Sequence, residues 1–226
     1  MSELIWDKTE DRVIETGVDH GVVYPKNSQG QYGVGEAWNG LTGITESPSG
    51  AEATAVYADN IKYMNMYSAE DYKYTIEAVT YPDGFAACDG VRQVSPGLFI
   101  PMQTRKAFGL AYRTQIANED EGIDHGYKLH LVYNSKVTPS EKSHSTVNES
   151  PENETFSWEA STTPEVITVL DPDTGKPYKP TAHLEIDSRK VPASRLAELE
   201  AILFGTANSD PTLPLPDDVI NLFTRG

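Results

Sequence analysis

The sequence predicts a chain dominated by β structure with a minor helical part (β+α), a sandwich or barrel carrying one flanking helix and long loops. Three observations carry this. Short runs of alternating apolar and polar residues recur along the 226 residues, Gly, Pro, Asn and Asp punctuate them, and a single segment has convincing helical periodicity. The length suits one large β domain, since sandwiches and barrels often exceed the ~150 residues usual for a domain.

From the N-terminus, "VIETGVDHGVVY" (13–24) reads as an extended arm or strand broken at Gly17 and Gly21. The glycine-rich "NSQGQYGVGEAWNGLTGIT" has hairpin chemistry, because glycine supplies positive φ at turns. "ATAVYADNIKYMNMYS", "YKYTIEAVTY" and "RKAFGLAYRTQIA" are rich in β-branched and aromatic residues and read as strands. In the second, Tyr72, Tyr74, Ile76 and Ala78 share one face, and its other face is not wholly polar, so cover on both sides is expected. "YPDGFAACDG" has the proline-first, glycine-last order of one helical turn or a loop.

In "GYKLHLVYNSKV" (126–137), Tyr127, Leu129, Leu131 and Tyr133 share a face opposite Lys128 and His130. A polar excursion of some twenty residues follows, about 134–154, with almost no apolar residue before Phe156. A loop of that length in a compact domain is usually functional or disordered. "FSWEAS", "PEVITVLD" and "TAHLEIDS" read as further short extended runs. The helix is "PASRLAELEAILFG": Leu196, Leu199, Ile202 and Leu203 form one stripe, Pro192 precedes it and Gly205 stops it. The end, "TANSDPTLPLPDDVINLF", reads as an extended tail closing on an apolar turn.

Net charge is −16, from 34 acidic against 18 basic residues, which argues against nonspecific attraction to nucleic acid or anionic membrane. Cys88 is the lone cysteine, so neither a disulfide framework nor a four-cysteine zinc site is expected. Neither a signal-peptide pattern nor a run of some 18 apolar residues is seen, so an intracellular folding compartment is expected, and the sequons at Asn148 and Asn153 carry little meaning.

Catalytic motifs are not found. The histidines at 20, 125, 130, 144 and 183 include no i, i+4 helix pair, and no catalytic or metal role is assigned to them; Cys88 has no nucleophile signature around it. Asp171 and Asp173 before Gly175 resemble the start of a calcium loop, but Ala182 stands where the bidentate acid belongs, so a hairpin turn is expected. Gly175-Lys176 lacks the rest of a phosphate-binding loop. The sequence therefore gives no catalytic residue, no metal site and no cofactor to expect.

The long phrases from "WNGLTGITESPSGAEATAVYADNIKYMNMYS" through "RKAFGLAYRTQIANEDEGIDHGYKLHLVYNSKV" to "KPTAHLEID" resemble the major tail protein of long, non-contractile-tailed bacteriophages of Gram-positive hosts. The resemblance runs over essentially the whole chain. It implies one tail-tube domain over 1–226: a two-sheet sandwich with a flanking helix, an N-terminal arm about 1–24, the polar loop about 134–154, and a C-terminal helix plus extended tail about 192–226. It further implies hexameric rings stacked into a tube in the virion, made in the host cytoplasm, with tape-measure, tail-tip and tail-terminator proteins as partners. DNA would pass through without specific binding, past a bore lined by part of the acidic excess. Contacts between rings are then expected from the arm before Tyr24 and from the loop, with Ser135, Lys136, Thr138, Glu141, Lys142, His144, Asn148 and Glu152 as candidates. The alternative expectation is a β sandwich that binds host carbohydrate through exposed aromatics.

Overall fold

The computed structural model describes residues 6, 8, 12–144, 146 and 154–224. In chain order the strands are β1 Val13–Pro25, β2 Glu36–Trp38, β3 Leu41–Glu46, β4 Ser49–Gly50, β5 Ala53–Ala58, β6 Ile61–Tyr67, β7 Glu70–Asp71 and β8 Lys73–Ala78. A one-turn helix, α1 Asp83–Ala86, leads to β9 Arg92–Ser95, β10 Leu98–Ile100, β11 Phe108–Asn118, β12 Gly122–Val137, β13 Phe156–Ser161 and β14 His183–Asp187. Two helices end the chain, α2 Ala193–Phe204 and α3 Pro216–Thr224.

Eight strands form one antiparallel sheet in the order β2-β1-β11-β12-β13-β8-β3, with β14 also paired to β12. The sheet folds back on itself through β12. Lys128 to Val132 pair with β14, whereas Lys136 and Val137 pair with β13. Between these stretches the β11–β12 register slips and Asn134 takes φ 48°. Asparagine tolerates that left-handed conformation better than most residues, and the bulge turns the strand from one layer into the other.

Alternation then sorts the side chains into two cores. On one face Val23, Leu110, Tyr112 and Val132 meet Tyr74, Ile76, Trp158 and Ala160 of the opposing layer, sealed by Trp38 and by Phe85 and Cys88 from the α1 region. On the other face Tyr24, Ala111, Leu129, Leu131 and Tyr133 meet Leu196, Leu199 and Leu203 of α2 and Val219 and Leu222 of α3. The layers are sheet, sheet, helices. Both apolar strand faces hold, Tyr74, Ile76 and Ala78 being buried together, as are Leu129, Leu131 and Tyr133; the expected cover on the other side of β8 is not found among the described residues, since Lys73 and Glu77 are exposed.

The predicted helix forms as α2, with Pro192 as its N-terminal boundary and Gly205 at φ 75° after it. The tail ends in more than a turn. Pro216 opens α3, Asp217 and Asp218 favour its positive N-terminal end, and Val219 and Leu222 lie three apart on the buried side. "DPDTGKPY" is a hairpin turn as expected, closed by a Leu170–Pro177 bridge with Gly175 at φ 66°.

Three expectations are corrected. The segment from Val13 to Tyr24 is no free arm: it pairs with β11 along its length, and Val22, Val23 and Tyr24 are buried. The predicted breaks at Gly17 and Gly21 appear as register shifts within that strand. The polar excursion begins later than expected, because Asn134 to Val137 still belong to β12. Finally, "PEVITVLD" makes only isolated bridges at Glu165 and Leu170 instead of a strand, its backbone held partly by the Asp217 carboxylate, which accepts from the Thr168 and Val169 N–H groups.

Candidate assembly surface

Residues 41–78 form one long antiparallel excursion. It leaves the body as the β3–β8 pair, continues through β4–β7, and ends in the β5–β6 hairpin. At the tip, Asp59 and Asn60 have φ of 50° and 62°. Two consecutive positive φ values match a type I′ turn, whose twist suits a two-stranded hairpin and which Asp and Asn tolerate. Beyond a bend at Gly50 and Ala51, whose φ values are 88° and 55°, the strand Ala53–Ala58 at about 3.3 Å per residue gives the β5–β6 hairpin a length of roughly 17 Å.

The arm is apolar where a lone hairpin should be polar. Tyr57, Ile61, Tyr63, Met64, Met66 and Tyr67 are each 50–70% exposed, and every residue of β6 is open to solvent. Register puts Val56 beside Met64 and, two residues on, Thr54 beside Met66, so one face is a methionine-rich strip while Tyr63 and Tyr67 project from the other. A two-stranded hairpin with neither face covered is marginal in water, and contiguous exposed apolar surface marks an interaction site.

A second hairpin, β9–β10, repeats the pattern on a smaller scale. It turns at Pro96–Gly97, with Gly97 at φ 80°, and exposes Val94, Leu98, Phe99 and Ile100, followed by the almost bare Met102. Neither hairpin hydrogen-bonds to the eight-stranded sheet through its own strands.

The loop candidates fare unevenly. Ser135 is corrected: it is fully buried, its Oγ accepting a 2.7 Å hydrogen bond from Tyr74, so it is not a surface contact. Lys136, Thr138, Glu141 and His144 are exposed, with His144 Nδ1 3.0 Å from Glu154. Lys142 is exposed too, but its ammonium reaches inward. Its ammonium lies 2.6 Å from the nearly buried Asp89 and within 5.4–6.0 Å of the ring centres of Tyr81, Phe156 and Trp158. This clamp holds the loop's first half onto its own subunit. Asn148 and Glu152 lie outside the described residues.

The arm is hidden in the sequence because 53–68 reads as ordinary strand. The signal that could have found it was Asp59–Asn60 between two apolar runs, with apolar residues on both alternating faces.

Among the described residues no helix is long and apolar enough to cross a membrane. No family model matches the chain, and no curated protein does.

Proposed function

We propose that this chain is a structural virion subunit, a tail-tube protein whose copies close into hexameric rings that stack into the conduit for phage DNA. The single observation that carries the reading is the arm: an apolar hairpin roughly 17 Å long with no cover among the described residues. A ring subunit needs such an element, because an uncovered hairpin is completed by lying against a neighbour or by adding strands to its sheet. The resemblance of the sequence to major tail proteins supplies the ring and the tube; the arm and the β9–β10 hairpin supply surfaces that suit them.

The acidic excess has two consequences in this reading. Carboxylates facing the bore repel phosphate and let DNA slide, where a basic bore would hold it through counterion release. Like charges also restrain premature association of free subunits. Tape-measure, tail-tip and tail-terminator proteins are the partners this role implies, and the virion tail is the location.

A second reading, a carbohydrate-binding module, draws on Tyr57, Tyr63 and Tyr67, which are exposed aromatics. Electron microscopy of the purified protein separates the two. Rings or hollow tubes support the structural role, whereas a monomer that binds on a glycan array supports the module.

A further inference from the structure

Two of the five histidines, far apart in sequence, meet between the layers. His130 on β12 and His183 on β14 are diagonal neighbours in the strand register, His130 opposing Glu185 and His183 opposing Val132. His130 Nδ1 lies 3.1 Å from His183 Nε2, and the rings are parallel to within 4°. Glu46, the last residue of β3 in the opposite layer, brings Oε1 to 3.7 Å from the same Nδ1. These three potential ligand atoms lie within 4.8 Å of one another, the one such group among the described residues.

The surrounding hydrogen bonds decide which nitrogen carries the proton. Thr114 Oγ1 donates to Glu15 at 2.6 Å, because a carboxylate can only accept, and this uses its single hydrogen. At the 3.0 Å contact between Thr114 Oγ1 and His130 Nε2, the imidazole must therefore be the donor. Its Nδ1 is left as a bare lone pair facing His183 and Glu46. A metal-binding histidine has this form, with one nitrogen donating outward and the other free.

The carboxylate is oriented too. Glu46 Oε1 accepts from the Tyr112 hydroxyl at 2.8 Å. Tyr72 stacks on His183 with ring centres 4.7 Å apart, and its buried hydroxyl faces Glu46 and Tyr112. The proton affinity of that hydroxyl is raised by burial first and by the charge of Glu46 next, which places it beside the same cluster.

We propose that Glu46, His130 and His183 bind a divalent transition-metal ion of the zinc class, which ties β3 of one layer to β12 and β14 of the other. Zinc bonds of about 2.0–2.1 Å at tetrahedral angles set ligand atoms about 3.3 Å apart; the 3.1 and 3.7 Å separations from His130 Nδ1 straddle that spacing, and the third pair, Glu46 with His183, lies within 4.8 Å. Two imidazoles and one carboxylate suit zinc, cobalt, nickel or copper over magnesium or calcium, which prefer all-oxygen shells. Without metal, His183 Nε2–H donates to His130 Nδ1; binding displaces that proton, and His183 carries its hydrogen on Nδ1 instead. The inference stands apart from the tube reading, since it concerns the fold of one subunit.

The test is titration of the metal-stripped full-length protein with Zn²⁺ and Co²⁺. The expected result is one ion per chain, an intense visible Co²⁺ spectrum of low coordination number that Zn²⁺ bleaches, and a melting temperature that rises with free Zn²⁺. His183→Gln should abolish tight binding, Thr114→Val should weaken it about tenfold, and His144→Gln should leave it unchanged. Well under one ion per chain, a Co²⁺ spectrum that stays that of the hydrated ion, or equal loss in His144→Gln would overturn the proposal. Should His183→Gln fail to fold, the wild-type Co²⁺ spectrum and Thr114→Val decide.

Discussion

Replacing Ile61 and Met66 together with aspartate strikes the arm where the structure leaves it bare. Ile61 is 63% and Met66 58% exposed in the free subunit. Full burial of such a side chain is worth about 1.5–3 kcal/mol, so covering the exposed part on assembly contributes about 1–2 kcal/mol each. Losing both removes about 2–4 kcal/mol per contact, and any buried, unpaired carboxylate adds to the loss. At 1.4 kcal/mol per tenfold, the concentration needed for assembly should rise about 30- to 700-fold. Monomer stability should barely move, within about 0.5 kcal/mol, because neither side chain packs against the core. Light scattering against concentration reads the first quantity and urea unfolding the second. Assembly at the wild-type threshold would refute the role of the arm; a monomer destabilised by more than about 1 kcal/mol would show that the arm is already packed within the subunit.

Salt should accelerate assembly, since a net charge of −16 makes free subunits repel and 0.15–1 M salt shortens the screening length from about 8 to 3 Å; turbidity traces that overlay at every salt would contradict this. Lys142→Ala leaves the nearly buried Asp89, among the described residues, with Arg105 at 4.0 Å as its one basic partner, and should cost about 1–3 kcal/mol in urea unfolding while releasing the start of the polar loop to proteases. Asp187 is pulled down to about 2, first by the Arg189 guanidinium, which grips it with bonds of 3.0 and 2.7 Å. A carboxylate depressed in the folded state stabilises above its unfolded value near 3.8 and loses that contribution as pH falls towards 2. Discounted for the exposure of Arg189, this is about 1 kcal/mol, so Asp187→Asn should flatten the acid limb of stability by that amount; identical acid limbs would contradict it.

The sequence carries the strands whose alternation is one-sided. Leu129, Leu131 and Tyr133 against Lys128 and His130 state their pleat, although the opposite face is buried as well, with His130 2% exposed and Val132 in the other core, and Leu196, Leu199 and Leu203 state the helix. Legibility fails where residues serve an unusual neighbour. The arm alternates on both faces, so it looks like a strand covered on both sides, a role that needs layers absent from the lone subunit. Ser135 looks like loop because serine is polar, yet the Tyr74 hydroxyl makes it a satisfied core residue. The fold of β12 at Asn134 is a backbone event that alternation does not encode. Glu46, His130 and His183 come from three strands, so spacing in sequence holds no trace of their meeting.

The most direct test of the central claim is electron microscopy of concentrated wild-type protein at low and high salt, with its mass in solution measured in parallel. The account predicts six-membered rings or hollow tubes, more abundant at high salt, whose walls cover the 53–67 hairpin. A monomer at every concentration and salt, still monomeric when seeded with a tail-tip complex, would contradict it.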